Sequence, residues 1–160
     1  MLWALSWPGL STIKSPAAGD GQVFVAGEKL IALRPNRNGG EPAEEWQGGT
    51  PAQGYASPVY HQGRVYYLTA VALVCLDAAT GEDRWRQRVD GPFDASPLVA
   101  DGRLYAVNNR GRTTVVQLGD RPKVLARNDL ADRLQATPAL SGQCLFLRSE
   151  KWLYCVGPCR

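Results

Sequence analysis

For chemistry, this 160-residue chain offers one histidine, four cysteines and a scatter of acidic and amide side chains. His61 would have to serve any serine–histidine–acid triad, yet no Gly-x-Ser-x-Gly elbow accompanies it. It stands in Tyr60-His61-Gln62-Gly63, which reads as a turn, so a solvated turn residue is expected. One histidine also excludes a histidine-rich metal site. The cysteines, at 75, 144, 155 and 159, show neither paired Cys-x-x-Cys ligands for zinc nor the Cys-x-x-Cys-His of covalent haem. Cys75 and Cys155 lie inside apolar runs, where a thiol behaves as a small hydrophobe. If Ser149-Glu150 centres a hairpin, Cys144 falls opposite Cys155, a candidate disulfide that also needs an oxidising compartment. Asn108, Asn109 and Asp94 carry oxygens of the kind calcium takes, but Asn108-Asn109 beside Gly111 reads as a turn. Arg84, Arg86 and Arg88 form a row that suits either an acidic partner or a solvated outer edge. No catalytic, cofactor-binding or metal-binding residue is expected.

The elements that would position these groups follow from a repeat. Ser15-Pro16, Ser57-Pro58, Ser96-Pro97 and Thr137-Pro138 recur at intervals of 42, 39 and 41 residues. A glycine follows each proline (Gly21, Gly63, Gly102, Gly142) and opens an apolar run: QVFVA, RVYYL, RLYAV and QCLFL. Periods of 20 to 50 residues belong to solenoids, propellers and arrays.

The unit from Ser57 to Ala95 is the clearest. Ser57-Pro58-Val59-Tyr60 is extended because the proline fixes its own φ and biases Ser57 away from helix. Arg64 to Thr69, rich in β-branched and aromatic residues, reads as a second strand. Val71 to Leu76 is a nearly continuous apolar third strand, which implies sheets stacked on both faces. In Asp77-Ala78-Ala79-Thr80-Gly81 the aspartate and threonine can bond nearby backbone while Gly81 closes a turn. Arg84 to Val89 alternates as a charged edge strand with one wet face. Four antiparallel strands in about 40 residues bury too little alone, and radial packing of such sheets is a propeller.

The other units fit unevenly. Trp46 takes the place of Trp85 in the first, and both stand 11 residues before the next Ser-Pro. In the third, Val124-Leu125 stands where tryptophan is expected. Trp3 precedes Ser15 by 12 residues, so Leu2 to Ser6 is expected to be a fourth strand completing the last sheet from the other end of the chain. The expectation is one all-β domain over 1–160 with sixteen strands in four blades: about 15–56, 57–95, 96–136, and a split blade of 137–160 plus 1–14. Asp129 to Leu134 is expected to be extended or looped, with one helical turn as the alternative.

Bulk properties narrow the class. A net charge of +3 spread over scattered basic residues is too weak for a nucleic-acid footprint. No stretch approaches the roughly 18 apolar residues of a membrane helix. The opening MLWALSWPGLSTIK lacks a basic segment and a small-residue cleavage site, so no signal peptide is expected.

Cys75-Leu76-Asp77-Ala78-Ala79-Thr80-Gly81-Glu82-Asp83-Arg84-Trp85 resembles the tryptophan-docking repeat of the pyrroloquinoline-quinone-like β-propellers, Ala-x-Asp-x-x-x-Gly-x-x-x-Trp, with cysteine for the first alanine. The style is also that of the outer-membrane assembly lipoprotein propellers. The first unit has Arg34 in place of the aspartate, and the third lacks both aspartate and tryptophan. The resemblance implies that Trp46 and Trp85, with Trp3 as a third candidate, lie between blades, and that Asp77, Thr80 and Gly81 shape the docking turn. Propellers of this family have seven or eight blades. The expectation is therefore the C-terminal half of a longer protein, two chains closing one eight-bladed ring as a homodimer, or a tight four-bladed ring.

Function divides accordingly. The first reading is a non-catalytic scaffold that binds a protein or peptide, with no nucleic acid and no membrane span. The alternative is part of a quinoprotein dehydrogenase whose cofactor residues lie elsewhere. Pyrroloquinoline quinone and calcium are not expected to bind here, because the family's adjacent-cysteine pair is missing. A sensor domain is a third form of the binding reading. An extracytoplasmic location, periplasm or cell envelope, is implied by the resemblance.

Overall fold

The computed structural model describes residues 4–6, 13–51 and 54–158. Fifteen strands and no helix occur among them. Blade 1 comprises β1 (Ala17–Gly19), β2 (Gln22–Ala26), β3 (Leu30–Arg34) and β4 (Ala43–Gly48). Blade 2 comprises β5 (Val59–His61), β6 (Arg64–Leu68), β7 (Ala72–Asp77) and β8 (Asp83–Arg88). Blade 3 comprises β9 (Leu98–Ala100), β10 (Arg103–Val107), β11 (Arg112–Gln117) and β12 (Lys123–Asp129). Blade 4 holds β13 (Ala139–Ser141), β14 (Cys144–Arg148) and β15 (Leu153–Val156). Each sheet is an antiparallel meander in chain order. The short first strands lie side by side, β1 against β5 and β5 against β9, as the inner strands of neighbouring propeller blades.

Local chemistry explains the meander. The tight turns into the second strands hold Asp20-Gly21, Gln62-Gly63 and Asp101-Gly102, all at positive φ. That pair of left-handed residues matches the twist of a two-residue hairpin. The middle strands are the most buried, β7 reading intermediate only at its two ends. Apolar clusters then weld blade 1 to blade 2 around Phe24, Trp46 and Leu76, and blade 2 to blade 3 around Tyr66, Leu73 and Leu104. A smaller cluster of Ala95, Val107, Leu134 and Leu147 joins blades 3 and 4.

The Ser-Pro period has a second physical basis. The backbone N–H of Ser15 donates to Ser57 Oγ at 2.9 Å, that of Ser57 to Ser96 Oγ at 2.9 Å, and that of Ser96 to Thr137 Oγ1 at 3.1 Å. One hydroxyl per repeat thus ties each blade to the next. Pro58, Pro97 and Pro138 are buried, whereas Pro16 is exposed.

Three sequence expectations change, and one, the extended or looped course after Asp129, holds. Residues 4–6 form no strand, and Leu2 and Trp3 lie outside the described residues, so fifteen strands rather than sixteen are seen. In blade 3 the tryptophan's position is taken by Ala126, not Val124-Leu125. Ala126 pairs with Val115 as Trp46 pairs with Ala32 and Trp85 with Cys75. A bulge precedes each of these three residues and leaves Glu45, Arg84 and Leu125 without a ladder partner. In blade 4 Cys155 pairs with Phe146, so Cys144 is not opposite it. The cause is the turn: Ser149 N–H donates to the Trp152 carbonyl at 2.9 Å, and Ser149 Oγ accepts from the Trp152 N–H at 2.9 Å, which shifts the hairpin centre. After Asp129 the chain bends without a helical turn, and Leu134 bridges to Ser149.

Candidate functional site

A cleft of about 400 Å³ opens between blades 2 and 3 at the end that carries the blade-to-blade connections. The β6–β7 hairpin supplies Val71, the segment after β8 supplies Asp90 and Gly91, and the β10–β11 turn supplies Asn108 and Arg110. Asn108 builds that turn. It is 3% exposed, its Oδ1 accepts from the N–H groups of Arg110 and Arg112 at 3.0 and 2.9 Å, and its Nδ2 donates to the Asp90 carbonyl at 2.7 Å. A side chain at Gly91 would place its Cβ 2.3 Å from the Ala70 carbonyl oxygen, so only glycine lets the connection pass.

Charge in this cleft is arranged, not merely present. Arg112 grips Asp129 with both arms of its guanidinium, at 2.7 and 3.1 Å, and reaches Asp90 at 3.0 Å. The two carboxylates raise the Arg112 pKa, and Arg112 holds the Asp129 carboxyl below its ordinary range. Arg127 approaches Asp90 at 3.9 Å. Among the described residues no acidic side chain pairs with Arg88 or Arg110. Both line the cleft beside Val71, which is 62% exposed. Four arginines therefore meet two aspartates, and an exposed apolar side chain lies next to two uncommitted cations.

The row seen in the sequence is thereby broken up. Arg84 pairs with Asp77 at 2.6 Å and Arg86 with Asp83 at 2.5 Å, leaving Arg88 as its member in the cleft. His61 ends β5 half-buried beside the paired Arg64 and Asp120, in a smaller cleft of about 210 Å³ at the opposite end. Cys75 is fully buried, and burial pushes its thiol up to about 11, so it is neither a nucleophile nor a ligand at neutral pH. Cys155 keeps its thiol, so the Cys144–Cys155 bridge does not form.

The docking residues converge between blades. Asp77 Oδ1 accepts from the N–H groups of Ala79 and Thr80 at 2.9 and 3.0 Å, its carbonyl accepts from Gly81 N–H at 2.9 Å, and Thr80 Oγ1 accepts from Glu82 N–H at 3.3 Å. Gly81, at φ 75°, lies against the Trp46 indole, where a Cβ would come within 2.6 Å of the ring. Trp85 donates to the Gly119 carbonyl of blade 3 at 2.8 Å. In blade 1 Arg34, standing where the motif has aspartate, pairs with Glu45 instead. Trp3 lies outside the described residues.

The oxygens singled out above are engaged in hydrogen bonds with one another and with neighbouring amides. Asn109 Nδ2 donates to Asp94 Oδ2 at 2.7 Å, Asp94 N–H donates back to Asn109 Oδ1 at 3.0 Å, and Gln135 Nε2 also donates to Asp94 Oδ2 at 3.1 Å. These bonds tie the β8–β9 connection to the β10–β11 turn and to the β12–β13 connection. Among the described residues no cluster of three or more His, Cys, Asp or Glu is placed to hold a metal. The arginine cleft escaped the sequence because its members come from two repeats; the row of Arg84, Arg86 and Arg88 was its only trace there.

A family model described as outer membrane protein assembly factor BamB matches residues 40–124, which is 85 of 160 residues. No protein with a curated function matches the chain in sequence. Among solved structures, BamB from Moraxella catarrhalis superposes with a TM-score of 0.68 at 20% identity, over 86% of this chain and 43% of that one. A europium-containing methanol dehydrogenase gives 0.61 at 18% identity, over 78% and 26%. The computationally designed Ika4 protein gives 0.65 at 9% identity, over 92% and 91%. The chain thus spans 43% of the BamB structure it matches and nearly all of the designed one.

Proposed function

The chain belongs to the PQQ-like propeller family described as outer membrane protein assembly factor BamB, and on that premise we propose that it is a non-catalytic scaffold binding an acidic protein segment in the cleft between blades 2 and 3. The observation that carries this reading is the pair Arg88 and Arg110, uncommitted cations flanking the exposed Val71, beside an Arg112 pinned by two carboxylates. Rigid neighbours reduce the ordering cost of a charged contact, and an acidic segment would be steered there before it docks. An envelope location agrees with the family.

A fluorescein-labelled peptide of alternating Glu and Leu tests the reading by polarisation. Saturable binding that weakens at least tenfold in the R88E/R110E double variant, and falls with added salt, supports it. Equal binding by both proteins, or none, overturns it. The quinoprotein reading rests on the methanol dehydrogenase likeness. Calorimetric titration with pyrroloquinoline quinone and calcium separates the two: tight stoichiometric binding would favour the enzyme.

A further inference from the structure

Two of the three blade junctions are filled by an indole, and the third is not. Trp46 is packed at the first, with Phe24 5.9 Å away ring to ring, and Trp85 at the second, 5.7 Å from Tyr66. At the third the same register position holds Ala126. Beside it lies an open cavity of about 250 Å³, lined by Tyr105, Thr113, Val115, Leu145, Leu147 and Val156 among others. Register makes these six the counterparts of Phe24, Leu30, Ala32, Val65, Tyr67 and Leu76, all buried in the cluster that holds Trp46. The wall that clasps an indole elsewhere is therefore present here without one.

A second feature marks the same cavity. Thr113 is 3% exposed, and its Oγ1 is the buried side-chain oxygen or nitrogen without a hydrogen-bond partner among the described residues. The counterparts Leu30 and Leu73 carry no polar atom. A buried hydroxyl left unsatisfied is unfavourable unless something entering the cavity bonds to it. The rim is accessible and mixed, with Leu140 40% and Val156 49% exposed beside the exposed Asn128 and Gln143, and it continues the established contact between blades 3 and 4.

We propose that this cavity binds an aromatic side chain, an indole in particular, presented by a partner protein. The repeat itself specifies the occupant: at both equivalent junctions the group that completes the packing is an indole stacked near an aromatic ring. Tyr105 takes the ring's place, and Thr113 Oγ1 offers an acceptor for the indole N–H. This site is separate from the arginine cleft and does not depend on it.

N-acetyltryptophanamide is the probe, with N-acetylleucinamide as the comparison, followed by methyl chemical shifts of Val115, Leu145, Leu147 and Val156. The expected result is saturable shifts at these methyls with the tryptophan amide, and binding at least tenfold weaker in A126W, which supplies the missing ring from within. T113V, nearly the same shape without the hydroxyl, should weaken binding several-fold. If A126W fails to fold by circular dichroism, V115F fills the cavity from its wall and takes its place. The R88E/R110E variant should bind the amide unchanged. No response up to the probe's solubility, whether from a cavity already covered by the chain or by a second copy, overturns the assignment. So does equal binding of the leucine amide, or undiminished binding by the filled variants.

Discussion

Trp46 donates its indole N–H to the carbonyl oxygen of Ala78 at 2.9 Å, across 32 residues of sequence and from one blade to the next. The ring is 9% exposed and seated over Gly81. Removing it leaves a cavity and an unpaired carbonyl together. Trp46→Ala should destabilise the fold by about 3–5 kcal/mol in urea titrations. Trp46→Phe keeps most of the packing and loses the bond, so its effect should be smaller, about 1–2 kcal/mol. Gly81→Ala should also destabilise, by more than about 1 kcal/mol, because it combines positive φ with a collision against the ring. Equal stability of Trp46→Ala and the parent would remove the indole from its structural role.

What could be read beforehand, and what could not, follows from this contact. The period of Ser/Thr-Pro and glycine exposes the blade because turns and strand starts need those residues locally. The spacing of Asp77, Gly81 and Trp85 exposes the docking turn for the same reason. Ala126 was missed because alanine carries no indole to mark the position, although it stands 11 residues before Thr137 as Trp46 and Trp85 stand before Ser57 and Ser96. The last hairpin was misread because its turn, held by Ser149, contains no glycine to fix the centre. Neither the arginine cleft nor the inter-blade serine bonds lie within one repeat, so no local signal reports them.

Those serine bonds lead to a quantitative expectation. Ser57 Oγ and Ser96 Oγ each satisfy a backbone N–H of the preceding repeat. Ser57→Ala and Ser96→Ala should each lower stability by about 0.5–1.5 kcal/mol. Ser141→Ala, at an exposed position on β13, should change it by less than about 0.5 kcal/mol. Comparable effects at all three positions would mean that the hydroxyls add nothing beyond local propensity.

Asp77 gives the protein an acid limb. Its hydrogen bond to Arg84, followed by those from the Thr80 and Ala79 N–H groups, holds its carboxyl below the ordinary value of 3.8. A folded-state pKa below the unfolded one stabilises the fold at all pH above the unfolded value. That contribution fades as pH falls below 3.8 and is gone once the folded carboxyl is protonated. Thermal melts taken downward from about pH 6 should show Asp77→Asn less stable at neutral pH and flatter in acid than the parent. Glu45 and Asp129, lowered by Arg34 and Arg112, leave the variant some residual slope. Parallel acid limbs in the two proteins would rule Asp77 out.

At the alkaline end the sign reverses, and Cys75 supplies the test. Burial pushes its thiol from 9.0 up to about 11, and Tyr66 beside it from 10.0 to about 12. The unfolded chain therefore releases these protons first as pH rises. Stability should hold below about pH 9 and decline as pH passes through 9 to 11, the span between the unfolded and folded thiol values. Cys75→Ala places at this position the residue that blade 1 carries as Ala32, and it should flatten the thiol's part of that decline while Tyr66 keeps its own. Iodoacetamide followed by peptide mapping gives an independent reading. Cys75 is fully buried with its weak S–H directed to the Leu76 carbonyl at 3.9 Å, so its labelling at pH 8 should proceed only as fast as the protein opens. Adding urea below the midpoint should speed that labelling in step with the unfolded fraction. Labelling at the rate of a model thiol in the native protein would show that the junction between blades 2 and 3 is not closed around Cys75.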